Sequence, residues 1–200
     1  MKRRLHIGID FDNTIADYTG VFYDVGVERG WLPENIGCSK QEIKQFFIAQ
    51  NQENKWTELQ GIVYGKEISK AQPYEGCVET IAQWVKVGHV VSIISHKTQF
   101  PIIGEKVSFH SAALGWLKHH GLTGDKAPLN PSQVYFNETK LRKVERIDEK
   151  KCDVFIDDLP EIFAMSAFPQ HCKSILFSPS RCASYHSLQV ASWQEVSALI

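Results

Sequence analysis

Two aspartates sit two residues apart at the end of an apolar run. Residues 5–11 read LHIGIDF and continue as Asp12-Asn13-Thr14, so Asp10 and Asp12 close a stretch otherwise suited to burial. Aspartate is depleted in strands, so a pair placed here calls for a reason. A second acidic pair, Asp157-Asp158, closes the apolar run 152–156 (CDVFI). A hydroxyl, Ser95, closes a third run at 90–95 (VVSIIS). Lys140 begins a helical stretch just after a short VYF segment at 134–136. Brought together, four carboxylates, a hydroxyl and an amine could move a phosphoryl group. Carboxylates that close raise one another's pKa unless a cation compensates. Oxygen ligands without His or Cys favour Mg²⁺, which shares its shell with water and a substrate phosphate. The lysine and the hydroxyl are then available to the phosphoryl oxygens. Residues i and i+2 at a strand end can reach the same side. One of Asp10 and Asp12 can therefore attack phosphorus while the other protonates the leaving oxygen and later activates water.

Such residues act together only if the fold delivers them to one edge. The runs 5–11, 90–95, 152–156 and 174–177 are rich in Val, Ile and Phe without strict alternation, as strands covered on both faces should be. The VYF segment is a weaker fifth strand. Helical patterns lie between them at 76–87, 111–120, 139–147 and 160–167. The first two stop at Gly88 and Gly121, and a last helix opens on a capping box, Ser192 to Glu195. Strands alternating with helices predict an α/β fold with a doubly wound parallel sheet, whose ligands gather at the carboxyl ends of the strands. Residues 17–72 break the rhythm. They hold a second capping box, Ser39 to Glu42, and apolar stripes at Ile43, Phe46, Phe47 and at Trp56, Leu59, Ile62, Val63. This stretch reads as a helical insertion that leaves after the first strand and returns near Pro73. The expected division is a core of 1–16 and 73–200 and an inserted subdomain of 17–72.

Composition narrows the possible partners. Lys plus Arg total 22 and Asp plus Glu 23, a formal charge of −1, which provides no pull toward nucleic acid or anionic membrane. The basic trio Lys2-Arg3-Arg4 reads as a solvated strand entry. Five cysteines without C-x-x-C spacing fit a reducing compartment and argue against zinc or a disulfide framework. No apolar run approaches the ~18 residues of a membrane span, and the basic start lacks a following apolar segment, so a cytoplasmic protein is expected. Oligomeric state is not legible.

The four motifs together resemble the haloacid dehalogenase-like (HAD) superfamily. IGIDFDNT is similar to its Asp-x-Asp-x-Thr first motif, the Ser95 strand end to its second, Lys140 to its third and VFIDDLPE to its fourth, in the family's order. The resemblance implies a HAD-like Rossmannoid core with a small helical cap after strand 1. It implies Asp10 as nucleophile and Asp12 as general acid/base, with the Asp12 backbone carbonyl also on the metal. Ser95 would bond the phosphoryl group and Lys140 would neutralise it. Asp158 would bind Mg²⁺ directly, with Asp10 and Asp157 beside it. Lys143, one helical turn on, is the alternative to Lys140. Asn13 stands where many members have Gly. His96 and Lys97 add polar groups beside the phosphate site, or form a solvated loop. Asp157-Asp158 before Leu159-Pro160 can also cap a helix. The implied activity is Mg²⁺-dependent hydrolysis of a small phosphorylated metabolite, a nucleotide or sugar phosphate. A phosphomutase or phosphotransferase on the same scaffold, or a non-catalytic HAD-fold binding protein, are the alternatives.

Overall fold

The computed structural model describes residues 3–185 and 187–200. Strands are β1 His6–Ile9, β2 Ala16–Asp17, β3 Gln72–Pro73, β4 Val90–His96, β5 Val134–Asn137, β6 Val154–Asp157, β7 Lys173–Phe177 and β8 Gln189–Val190. Helices are α1 Val21–Glu28, α2 Lys40–Ala49, α3 Glu53–Tyr64, α4 Cys77–Lys86, α5 Phe109–His119, α6 Lys140–Glu149, α7 Pro160–Ala164 and α8 Trp193–Ala198. The chain divides into two compact units.

The first unit holds the chain up to Ala16, then Pro73–Lys97 and Leu117–Ile200. It carries a six-stranded sheet in the order β5-β4-β1-β6-β7-β8, and the pairs described are all parallel. The chain runs outward from β1 through β4 to β5, then returns to the other side of β1 for β6, β7 and β8. That reversal puts the topological switch point beside β1, where open α/β sheets bind ligands. Register places Ile7 beside both Val91 and Val154, and Ile9 beside Ile93 and Ile156. Central strands flanked on both sides must be apolar on both faces, which is why the runs do not alternate. The VYF segment is a full edge strand, and β8 is a second edge too short to leave a pattern.

Each face of the sheet is closed by helices that the sequence starts and stops locally. On one face Ile94 and Phe155 pack with Val144 and Ile147 of α6 and Ile162 of α7. On the other, Trp193 of α8 lies 5.9 Å from the Trp84 ring of α4 and 6.2 Å from Phe177. Truncating a buried aliphatic here costs roughly 2–5 kcal/mol. Thr139 caps α6 by accepting from Arg142 N at 3.1 Å. Ser192 caps α8 in the same way, but Glu195 reaches back to Ala191 N at 3.2 Å rather than to Ser192 itself. Gly8 is set by close packing, since a Cβ there would lie 2.6 Å from Phe155 Cδ2. At the strand entry Arg3 pairs with Asp153 at 2.5 Å. Lys2 of the basic trio lies outside the described residues.

The second unit is helical and comprises Asp17–Gln72 and Thr98–Trp116. The Ser39 capping box of α2 is formed in both directions. Rings of Tyr18, Phe22, Trp56, Tyr64 and Phe109 stack in series at 5.1–6.2 Å. The unit takes in a segment, Thr98–Trp116, that the sequence pattern placed with the core. Its attachment is through side chains distant in sequence: Trp116 Nε1 donates to Ala71 O at 2.9 Å, and Lys66 pairs with Glu105.

Candidate active site

The end of β1 delivers Asp10 to the middle of the sheet's carboxyl edge. Its backbone N–H bonds Ile156 O at 2.9 Å, so the ladder with β6 continues to this residue. The chain then turns sharply. Asn13 N bonds Ala16 O at 2.8 Å, and Ile15 N and Ala16 N both bond Phe11 O at 3.0 Å. This turn requires φ of 57° at Asn13, a left-handed conformation that Asn tolerates better than most residues and Gly adopts freely. The turn is what sends Asp10 and Asp12 to different surroundings.

Asp10 is buried against β6 and α6. Lys143 Nζ donates to Asp10 Oδ1 at 2.7 Å and lies 2.6 Å from Asp157 Oδ2. All three side chains are at most 5% exposed. Asp157 Oδ1 also accepts from Leu159 N at 3.0 Å, so the residue orients the start of α7 as well. Burial pushes the Asp157 carboxyl up to about 7; Lys143 opposes that and Asp10 adds to it. Burial alone would lower the Lys143 amine, but the two carboxylates reverse this and hold it above its ordinary value. Oxygens of Asp10, Asp157 and Asp158 lie within 4.8 Å of one another.

Asp12 faces a second lysine. Lys97 Nζ lies 3.1 Å from Asp12 Oδ1 and 2.8 Å from Oδ2, with side chains 3% and 17% exposed respectively. The Ser95 hydroxyl, at the carboxyl end of β4, is buried and without a partner among the described residues, and so is the Thr14 hydroxyl after β1. The His96 imidazole is held below its usual pKa by burial and then by Lys143. Asp10, Asp157 and Asp158 offer an all-oxygen donor set at this edge, which suits Mg²⁺. The carboxylate of Asp12 is engaged elsewhere.

The expected residues are therefore gathered, with one correction. Asp10, Asp12, Ser95, Asp157 and Asp158 share the β1, β4 and β6 edge. Lys140 does not join them: its side chain is 44% exposed and pairs with Glu161. Lys143 takes its place. Helical side chains lean toward the helix N-terminus. From the first position of α6 that lean carries Lys140 past the end of the helix, whereas from one turn deeper it brings Lys143 to the strand ends. Lys97 is more than a loop residue, and Asn137, which no motif marks, is buried at the end of β5. Its Nδ2 donates to Ser95 O at 3.0 Å, and its own carbonyl accepts from Lys97 N at 3.0 Å. Among the described residues no helix is long and apolar enough to cross a membrane.

Three solved structures share this fold at low sequence identity. A haloacid dehalogenase-like family hydrolase from Streptococcus pneumoniae is 13% identical, with 100% of this chain and 99% of that one covered and a TM-score of 0.63. A phosphoserine phosphohydrolase-like protein from Francisella tularensis is 11% identical over 98% and 99%, with a TM-score of 0.61. A HAD-hydrolase from Bacillus subtilis, bound to magnesium, is 12% identical over 99% of each chain, with a TM-score of 0.56. No curated protein sequence matches the chain significantly. The family described as "5' nucleotidase, deoxy (Pyrimidine), cytosolic type C protein" matches residues 3–200. The chain belongs to that family and is a HAD-like hydrolase of the phosphatase kind.

Proposed function

We propose that this protein hydrolyses a small phosphate monoester, foremost a deoxynucleoside 5'-monophosphate, through an aspartyl-phosphate on Asp10. The observation that carries the reading is the buried Asp10–Lys143–Asp157 cluster, with Asp158 beside it and Asp12 held apart by Lys97. The family description supports the nucleotide class and a cytosolic setting.

The chemistry follows from the residues. Asp10 attacks phosphorus through a carboxylate oxygen, and the bond from phosphorus to the ester oxygen breaks. Asp12 gives its proton to that departing oxygen, which leaves as the alcohol. Asp12, now a carboxylate, takes a proton from water. The resulting hydroxide attacks phosphorus, the bond to Asp10 breaks, and inorganic phosphate is released. Lys143 holds Asp10 in place and offsets charge on the phosphoryl oxygens, while the unpaired Ser95 hydroxyl is a donor for one of them. Asp10, Asp157 and Asp158 would hold Mg²⁺, which supplies electrostatic stabilisation of the phosphoryl oxygens. The helical unit is part of the proposal as the cap that selects the substrate.

Phosphate release from a panel of deoxynucleoside monophosphates, ribonucleotides and sugar phosphates tests this. Turnover that needs Mg²⁺, stops with chelator and is absent in Asp10→Asn is the expected result. Phosphoryl exchange between metabolites without net hydrolysis, or equal release by wild type and Asp10→Asn, would contradict it.

A further inference from the structure

Lys97 is a buried cation outside the cluster around Asp10. It sits one residue beyond β4, in a segment fixed on both sides by Asn137. That asparagine holds the carbonyl of Ser95 through its side chain and the N–H of Lys97 through its own carbonyl. Below the ammonium lies the ring of Phe11, with Nζ 5.5 Å from its centroid. Ahead of it lies Asp12, touched through both carboxylate oxygens at 3.1 and 2.8 Å. A free lysine side chain samples many rotamers. Burial between a ring and a carboxylate, on a backbone pinned at its root, removes that freedom. The result is a preorganised charge that faces Asp12.

Resting on the reading above, we propose that Lys97 is the positioning residue of the Asp12 general acid. It fixes the direction of the carboxyl group. It also offsets the negative charge that appears there as the proton passes to the departing ester oxygen. Lys143 serves the attacking carboxylate and Lys97 the departing oxygen, so each half of the displacement has its own cation. Preorganised charges aimed at developing charge lower barriers because nothing has to reorganise during the reaction.

A role through the general acid has a signature that a structural or phosphate-binding role lacks. Aryl phosphates such as p-nitrophenyl phosphate lose their leaving group without protonation, whereas alkyl phosphates need the proton. The parameter to compare is kcat/KM, because it covers steps through leaving-group departure and omits breakdown of the aspartyl-phosphate. General acid catalysis is worth roughly 10²–10⁴-fold. Lys97→Met is therefore expected to lose about 10–100-fold on an alkyl phosphate and under about 3-fold on p-nitrophenyl phosphate. Lys97→Arg, which keeps the charge, should recover most of the alkyl activity. In Asp12→Asn the acid is gone, so adding Lys97→Met should cost almost nothing more, as expected of residues acting as one unit. If Lys97→Met does not fold, as judged by thermal unfolding, Lys97→Gln is read in the same way. Equal losses on both ester classes, no loss on either, or additive losses in the double variant would overturn the assignment while leaving the phosphatase reading intact. A wild-type protein that cleaves neither ester would overturn that reading, and this one with it.

Discussion

Two lysines meet two aspartates at the same strand end, yet the pairs are built differently. Lys143, Asp10 and Asp157 form a dry cluster in which two carboxylates share one ammonium. Lys97 and Asp12 form a pair whose carboxylate is partly open to solvent. The dry cluster sets two carboxylates against one ammonium and cannot relax by hydration, so it is costly to disturb. The second pair is wetter, so its loss should be felt in chemistry more than in folding. Burying a charge is expensive, and removing one partner of a buried pair leaves the other uncompensated.

The largest contrast comes from the lysines of α6. Lys143→Met should destabilise the metal-free protein by about 3–5 kcal/mol and abolish turnover, read by denaturant unfolding and phosphate release. Lys140→Ala, three residues away, should change stability by less than about 0.5 kcal/mol and leave turnover near wild type. A large effect at residue 140 with a small one at 143 would invert the assignment. Next in size is the packing beneath the cluster. Gly8→Ala would place a methyl group 2.6 Å from Phe155, and should cost roughly 1–3 kcal/mol by overpacking.

A smaller effect sharpens the electrostatic side of the comparison. Asp157 titrates near 3.8 when unfolded and near 7 when buried in the cluster. Between those values the native state holds a proton that the unfolded state has released. Stability of the metal-free protein should therefore fall as pH rises from about 4 to about 7, and that loss should be complete above 7. Saturating Mg²⁺ favours the ionised carboxylate and should flatten the slope, as thermal unfolding across pH would reveal. The same downward slope with and without Mg²⁺ would place the ion elsewhere.

The strand ends were legible because an acidic pair at the end of an apolar run has few structural excuses. Asp10, Asp12, Asp157 and Asp158 are such residues, and the four long strands around them carry the apolar content of a doubly covered sheet. The lysine was harder. Lys140, Lys143 and Val144 fall on one helical stripe, so periodicity cannot choose among them. The choice depends on where Thr139 starts the helix and how side chains lean from there. Lys97 was legible only as a polar group beside the phosphate site or a solvated loop residue; its pairing with Asp12 was not, since that partner is 85 residues away. Membership of Thr98–Trp116 in the helical unit was equally hidden. It rests on long-range contacts such as Tyr64 with Phe109, which no local signal encodes.

One measurement goes to the centre of this account. Wild-type protein mixed with a hydrolysed monophosphate and Mg²⁺ is quenched in acid within a turnover, digested and examined by mass spectrometry. A phosphoryl group on the peptide that carries Asp10, absent from Asp10→Asn, is the predicted result. Rapid phosphate release with that peptide never phosphorylated, or with the label on another residue, would contradict it.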